Sequence, residues 1–302
     1  MALCSFKVTS PARYLLLFML LCSTCAIASP EPIKIISRGD ANAEHALGML
    51  KLALSKTDKN YTLDVTEGAL TGSRQLQNLI EGKIHIAWTA TNAEHEDAAL
   101  AIRVPLYKGL LGYRVMIIHR DNPHVFDGVE SLSELSHFKL GQGKGWTDTT
   151  ILRDNGLQVV TANKYESLFY MTDGHRFDGF PRGVNEPWAE LASRPDLELT
   201  VDENIMLVYK MPFYLFVTPT REALAADIRR GMDIALNDGS FDNYFMNSPT
   251  VKMVLSKVDM SSRRTFELHN PDLPSATPVA DKRLWFDVMM AKQQDLQPGK
   301  MP

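Results

Sequence analysis

Apolar and polar positions divide the chain after residue 30 into short alternating runs and helical stretches. Ile33 to Ser37 reads as a short buried strand, and Arg38-Gly39-Asp40 turns the chain out of it. Ala43, Ala46, Leu47, Leu50 and Leu54 then recur at helical spacing, with Asp40 or Asn42 able to cap the first amides. Tyr61 to Val65 alternates as a strand. Ser73 is placed to cap a helix carrying Leu76, Leu79 and Ile80, Gly82 ends it, and Ile84 to Thr89 is a strand again. This βαβαβ order predicts a parallel sheet.

A polar segment, Thr91 to Asp97, precedes a β-rich stretch from Ile102 to His119 that breaks near Lys108-Gly109. The alternation then restarts. A short helix is expected around Leu132 to Leu135, a strand at Lys139 to Gly141, and a helix ending at Asn155-Gly156 after the turn Gly143-Lys144-Gly145-Trp146. Gln158 to Thr161 is a strand, and Asn163 with Glu166 has capping-box spacing ahead of a helix that Gly174 ends. Phe177 to Phe180 reads as a strand that leads into a turn at Pro181-Arg182-Gly183. Asn185 is placed to cap a helix starting Glu186-Pro187-Trp188, since proline is tolerated in a first turn. Ile205 to Val217 is apolar and β-rich, interrupted by Pro212. Helices follow from Thr218-Pro219 to Asn237 and around Val251 to Leu255 and Leu284 to Met290, with a Pro-rich loop between Asn270 and Pro278.

Two α/β runs in succession predict two lobes of related construction, and the 302 residues suffice for both. Residues 29–120 are assigned to the first lobe, 121–212 to the second, and 213–302 to a return to the first lobe with C-terminal helices. The C-terminal ends of parallel strands should then face a shared crevice, the place where open α/β sheets bind ligands.

Composition changes the picture mainly at the N-terminus. Lys7 and Arg13 precede the apolar run Tyr14 to Leu21, which ends in small residues through Ala26-Ile27-Ala28. This is the pattern of a secretory signal peptide, residues 1–28, cleaved near Ala28, and the run is short for a spanning helix of about 20 residues. The alternative is a retained anchor. After cleavage no stable membrane insertion is expected, and a periplasmic location is. All three cysteines, Cys4, Cys22 and Cys25, lie in this segment, so the mature chain would hold no disulfide or thiolate site. Loss of Lys7 and Arg13 takes the formal charge from -4 to -6, with no basic block, which argues against nucleic acid.

Candidate chemistry clusters near the strand ends. Arg182 offers five fixed donors for a carboxylate or phosphate, or it pairs with Glu186 four positions on. Glu186 either meets a ligand or favours the positive end of its helix. Gly145, Trp146 and Thr147 form a candidate backbone nest for an anionic group, with Trp146 a stacking wall or core. Trp88 and Tyr107 carry the same two readings, and Thr89 and Thr91 are candidate donors at a strand end. Arg38, in the first turn, completes the residues that reading the chain alone proposes. The eight histidines are scattered, and Glu94-His95-Glu96 lacks the second histidine of a zinc-protease helix, so no metal and no cofactor is expected. No G-x-S-x-G elbow occurs.

The order of these features resembles the bacterial extracellular solute-binding proteins of family 3, the amino-acid-type periplasmic binding proteins with a type II fold. The resemblance rests on Glu81-Gly82-Lys83-Ile84-His85-Ile86-Ala87, Pro105-Leu106-Tyr107, Leu140-Gly141 before a glycine turn, Tyr165 to Leu168, Gly174 to Asp178, and Leu236 to Phe241. It implies two lobes closing on a small polar, anionic or zwitterionic, solute for delivery to a membrane permease of the ABC type. The family pattern has a carboxylate-binding arginine after the third strand, where His95 stands nearest, and an acidic residue beyond Asp178, where Arg182 and Gly183 fall. Both departures argue against a standard amino acid. Two alternatives accompany this reading: a dehydratase-like enzyme on the same scaffold with Glu186 or His95 as acid or base, and a sensing module read by a membrane receptor.

Overall fold

The computed structural model describes residues 31–260 and 262–286, together with Met1. The segment read as a signal peptide, its cysteines and the helix expected through Met290 therefore lie outside the described residues or run beyond them.

The first half builds as its periodicity dictates. Strand β1 (Glu31–Ser37) pairs in parallel with β2 (Tyr61–Glu67), and helix α1 (Ala41–Ser55) crosses between them. Asp40 caps α1 by accepting from the Ala43 amide at 2.8 Å. Helix α2 (Gly72–Ile80) is capped by Thr71 rather than Ser73, because the Thr71 hydroxyl is the one that reaches an amide, that of Arg74. Strand β3 (Ile86–Ala90) follows. Asn92 then caps a short helix, α3 (Ala93–Ala98), inside the segment read only as polar. Strand β4 (Leu100–Ile102) completes this half.

Strand β11 (Phe213–Val217) lies between β3 and β4 and pairs antiparallel with both. It brings the late helix α8 (Glu222–Asn237) back against α1, and the approach is close: a Cβ on Gly231 would stand 2.0 Å from the Ala53 carbonyl oxygen.

The other strands form a second group. Strand β5 (Tyr113–His119) pairs antiparallel with β8 (Phe180–Gly183), β9 (Leu199–Val201) and β10 (Ile205–Val208). Beyond β10 lies β12 (Arg264–Glu267), a parallel neighbour that hydrophobic periodicity does not reveal in four mostly exposed residues. After the short helix α4 (Leu132–Leu135), strands β6 (Lys139–Gly143) and β7 (Gln158–Ala162) form a parallel pair, with α5 (Thr147–Asp154) between them and α6 (Tyr165–Asp173) after β7. A bridge from Leu140 to Gly179 joins β6 to the chain entering β8.

No strand of the first group pairs with one of the second among the described residues. The chain passes between the groups through residues 103–112 and 209–212. Lys108 and Gly109 adopt left-handed φ values of 46° and 83° in the first pass. A Cβ on Gly112 would lie 2.0 Å from the Tyr209 carbonyl oxygen in the second, so the two passes run in direct contact. β5 therefore stands with the second group, although a boundary at 120 assigns it to the first lobe, and β12 does so although the sequence assigns residues 213–302 to a return to the first.

One expectation shifts by three residues with consequences for the site. The strand read as Phe177 to Phe180 is instead β8, Phe180–Gly183, so Pro181, Arg182 and Gly183 are buried strand residues and not a turn. Pro181 is accommodated because β8 stands at the end of its sheet, where a missing amide donor breaks no ladder.

Candidate functional site

The site is assembled where the start of α1 meets the end of β8 and the start of helix α7 (Pro187–Ala192). Antiparallel register places Arg114, the second residue of β5, opposite Gly183 at the end of β8. Their neighbours Arg182 and Glu186 thus enter the same small volume. Gly183 is required there. An added Cβ would stand 2.7 Å from Leu111, 3.0 Å from Asn185 Oδ1 and 3.1 Å from Glu186 Oε2.

Five charged side chains share the volume, all nearly inaccessible: Arg114, Asp148, Arg182, Glu186 and Glu190 at 3%, 8%, 7%, 9% and 11% exposure. Arg182 is not open to an anion. Its Nε donates to Glu190 at 2.9 and 3.1 Å, and its Nη2 reaches Glu190 at 2.5 Å and Glu186 at 2.8 Å. Its guanidinium also lies over Trp146, Tyr165 and Phe180 at 5.1–5.7 Å from the ring centroids, a cation–π setting. The intralobe pairing weighed against ligand contact is thus the one observed, with Glu190 added. Arg114 pairs with Asp148 at 2.7 Å and Glu186 at 3.3 Å. Tyr209 and Tyr165 donate their hydroxyls to Asp148 and Glu190 at 2.5 and 2.6 Å. The five carry two positive and three negative formal charges, leaving one carboxylate in excess.

Burial pushes the Glu186 carboxyl above its ordinary range. Arg182 opposes that shift, Glu190 reinforces it, and Arg114 opposes it again. Burial also works against the charged form of Arg182, but Glu186 and Glu190 outweigh it and hold the guanidinium firmly protonated.

Asn42 links this cluster to the first group of strands. Its Nδ2 donates to Glu186 Oε1 at 3.0 Å, while its Oδ1 accepts from Asn185 Nδ2 at 3.0 Å and from the Tyr107 hydroxyl at 2.7 Å. Asn185 therefore bridges to α1 instead of capping α7, whose N-cap is Glu186 with no side-chain cap bond. Likewise Asn163 makes no cap for α6, which begins after Lys164. Tyr107 stacks on buried His45 at 4.2 Å between centroids, and the Arg38 guanidinium lies 5.3 Å from the Tyr165 ring across the same gap. Three polar atoms here are buried without a partner, Asn185 Oδ1, Arg114 Nε and His45 Nδ1.

The structure thus brings together Arg38, Tyr107, Trp146, Arg182 and Glu186 from the sequence candidates. Thr147 is buried in the first turn of α5 beside Asp148, while Gly145 is an exposed turn glycine with φ 79°. The remaining candidates stand elsewhere. Trp88 packs against the main core. Buried Thr91 donates to Glu96 at 2.7 Å, and Glu96 is held by Arg103. Thr89 and His95 line a cavity of about 20 Å³ with Gln75, Leu79, Ala87 and Phe216, room for about one water and no solute. His95 Nδ1 faces the Ala90 carbonyl at 3.0 Å, so this ring closes α3 onto β3.

Reading the chain missed Asn42, Arg114, Asp148, Tyr165, Asn185, Glu190 and Tyr209. One signal was present: Arg114 is a lone charge inside the mostly apolar run Leu110 to Ile118, and a charge on a buried strand needs a partner. A groove of about 530 Å³ lies between Phe126–Val129, Asn204 and Arg263–Arg264, at the far end of β10, and it contains none of the sequence candidates.

No family model matches the chain, and no curated protein matches it. Solved structures do. An ancestral arginine-binding protein bound to arginine is similar over 72% of this chain and 98% of its own, at 15% identity and a TM-score of 0.53. An amino acid ABC transporter substrate-binding protein of Streptococcus pneumoniae bound to L-arginine is similar over 74% of this chain and 95% of its own, at 13% identity and a TM-score of 0.51. An ancestral amino acid-binding protein, described as a precursor of cyclohexadienyl dehydratase, is similar over 72% and 94%, at 13% identity and a TM-score of 0.50. These likenesses define the class by fold: the chain has the two-lobed α/β architecture of the solute-binding proteins. No helix among the described residues is long and apolar enough to cross a membrane.

Proposed function

We propose that the chain is an exported solute-binding protein whose lobes close on a small solute bearing a cationic group, a zwitterion included, and that it serves a membrane permease. The first lobe is taken as β1 to β4 with β11, α1 and α8, and the second as β5 to β10 with β12. The reading is carried by one observation: an excess carboxylate buried where α1 meets the β8–α7 junction. Glu186 is the carboxylate that faces the other lobe, and Asn42 Nδ2 donates to it as a solute ammonium or guanidinium would. The orphaned acceptor Asn185 Oδ1 also suits a donor. Both buried arginines are already paired with carboxylates, so a purely anionic solute is disfavoured there.

Closure follows from contacts to both lobes that exist only in the shut state, so a solute making them shifts the equilibrium. A thermal-shift panel of amino acids, amines and carboxylates on the mature chain tests this. Zwitterions or cations should raise Tm and be recovered unchanged, and Glu186→Gln should weaken the best of them at least tenfold. Stabilisation by anions alone, or an unaffected Glu186→Gln variant, would remove the cationic reading. Conversion of the compound to product would support the dehydratase-like alternative instead.

A further inference from the structure

β5 carries Arg114 at one end and His119 at the other, five residues on. By strand rise this puts His119 about 17 Å from the cluster described above, on the opposite rim of the sheet. Antiparallel pairing brings the loop before β8 to that same rim, and with it His175. The imidazole rings of His119 and His175 lie 4.1 Å apart, tilted by 31°. Asp121, in the turn after β5, completes the group: its Oδ1 is 2.5 Å from His119 Nδ1 and its Oδ2 is 3.7 Å from His175 Nε2. One donor atom from each of the three lies within 4.8 Å of the other two.

From these positions we propose that His119, Asp121 and His175 form a binding site for one divalent transition metal ion of the Zn²⁺ class. A tetrahedral Zn²⁺ with bonds of 2.0–2.2 Å separates its ligand atoms by about 3.3–3.5 Å. The two contacts use different oxygens of Asp121, Oδ2 toward His175 at 3.7 Å and Oδ1 toward His119, so the carboxylate must turn to place a single oxygen on the ion. The Asp121–His119 contact must open by somewhat under about 1 Å to the same spacing, a movement within the range of an exposed carboxylate. Two imidazoles and a carboxylate match the donor preference of zinc and poorly match that of calcium or magnesium, which take oxygen. With Nδ1 of His119 toward the metal, its Nε2 faces Asp173 Oδ1 at 3.9 Å, and Asp173 is anchored by accepting from the Glu198 amide at 2.8 Å. The 3.9 Å separation is longer than a hydrogen bond, so Asp173 acts on the ring through its charge and does not fix its tautomer. His175 is presented from a left-handed backbone, φ 53°, directly after Gly174. Three protein ligands leave a coordination position for water. The bound ion would tie the end of β5 to the α6–β8 loop.

The test is calorimetric titration of the chelator-stripped mature chain with Zn²⁺, with the Co²⁺ absorption spectrum as a second readout. One ion per chain is expected, with affinity reduced at least tenfold in both His175→Ala and His119→Gln, and with a tetrahedral Co²⁺ spectrum lost in the same variants. His124→Ala and His137→Ala, exposed histidines outside the group, should leave the titration unchanged. No stoichiometric binding, or binding that survives both cluster substitutions, would overturn the proposal. Circular dichroism of each variant separates loss of the site from loss of the fold. The solute panel is independent of this result, because the metal group and the Glu186 cluster share no residue.

Discussion

Arg182 sits between two carboxylates and three aromatic rings, so the consequences of removing it follow from what it leaves behind. Arg182→Ala strands Glu186 and Glu190 together at about a tenth exposure, with Arg114 as the one remaining cation beside Glu186. Breaking a buried pair in this way costs about 3–5 kcal/mol. The variant should therefore unfold at clearly lower urea than wild type, and a denaturation midpoint unchanged within error would show that the carboxylates find other partners. His45 gives a second residue-level expectation, this one in pH. Burial holds its imidazole down at about 4 against an ordinary value of 6.5, while Nε2 stays bonded to the Leu106 carbonyl at 2.9 Å. Above pH 6.5 the ring is neutral in both folded and unfolded chains, and it contributes no pH dependence. As pH falls from 6.5 to 4 the unfolded chain takes up a proton that the folded chain refuses, so stability drops by about 3 kcal/mol across that window. In His45→Phe the fall in unfolding free energy between pH 6.5 and 4 should be smaller by that amount; an equal fall would mean that another group carries the titration.

At the scale of elements, the parts written in strong periodicity are found where they are expected, and the contacts that build the site are not written in it. Helices α1, α5 and α8 and strands β1, β2, β6 and β7 carry apolar residues at unambiguous spacing, and each appears within a few residues of its expected bounds. The site depends on register, which periodicity does not encode. Reading β8 three residues early makes Pro181-Arg182-Gly183 a turn and sends Arg182 toward solvent or ligand. With the observed pairing of Arg114 to Gly183, the same residues become a buried strand end whose charges must be satisfied internally. Capping failed in a similar way at Asn185 and Asn163. An asparagine ahead of a helix is a plausible cap by local chemistry, but Asn185 has a tertiary partner, Asn42, separated from it by 143 positions. The fold class was legible because it is a sum of local patterns, whereas Asn42, Asp148 and Tyr209 enter the site only through contacts between elements.

For the whole molecule, the two groups of strands meet through few polar links, and one residue makes two of them. Asn42 bonds Tyr107 in the pass between the groups and Asn185 and Glu186 across the gap, while Arg38 over Tyr165 adds a contact with no hydrogen bond between them. With a net worth of about 0.5–1.5 kcal/mol for each of its two bonds across the gap, Asn42→Ala should favour the open arrangement of the solute-free chain by about 1–3 kcal/mol, or about 5- to 150-fold. The two passes between the groups, residues 103–112 and 209–212, do not include Asn42, so opening is expected without unfolding. Small-angle scattering of the solute-free variant should give a larger radius of gyration than wild type, and saturating solute should bring the two together, because the solute supplies the donor to Glu186 that Asn42 no longer does. The same variant with the same radius as wild type, with and without solute, would mean that closure rests on the apolar core running beneath both groups, and that the polar bridge at α1 only decorates a gap already fixed in width.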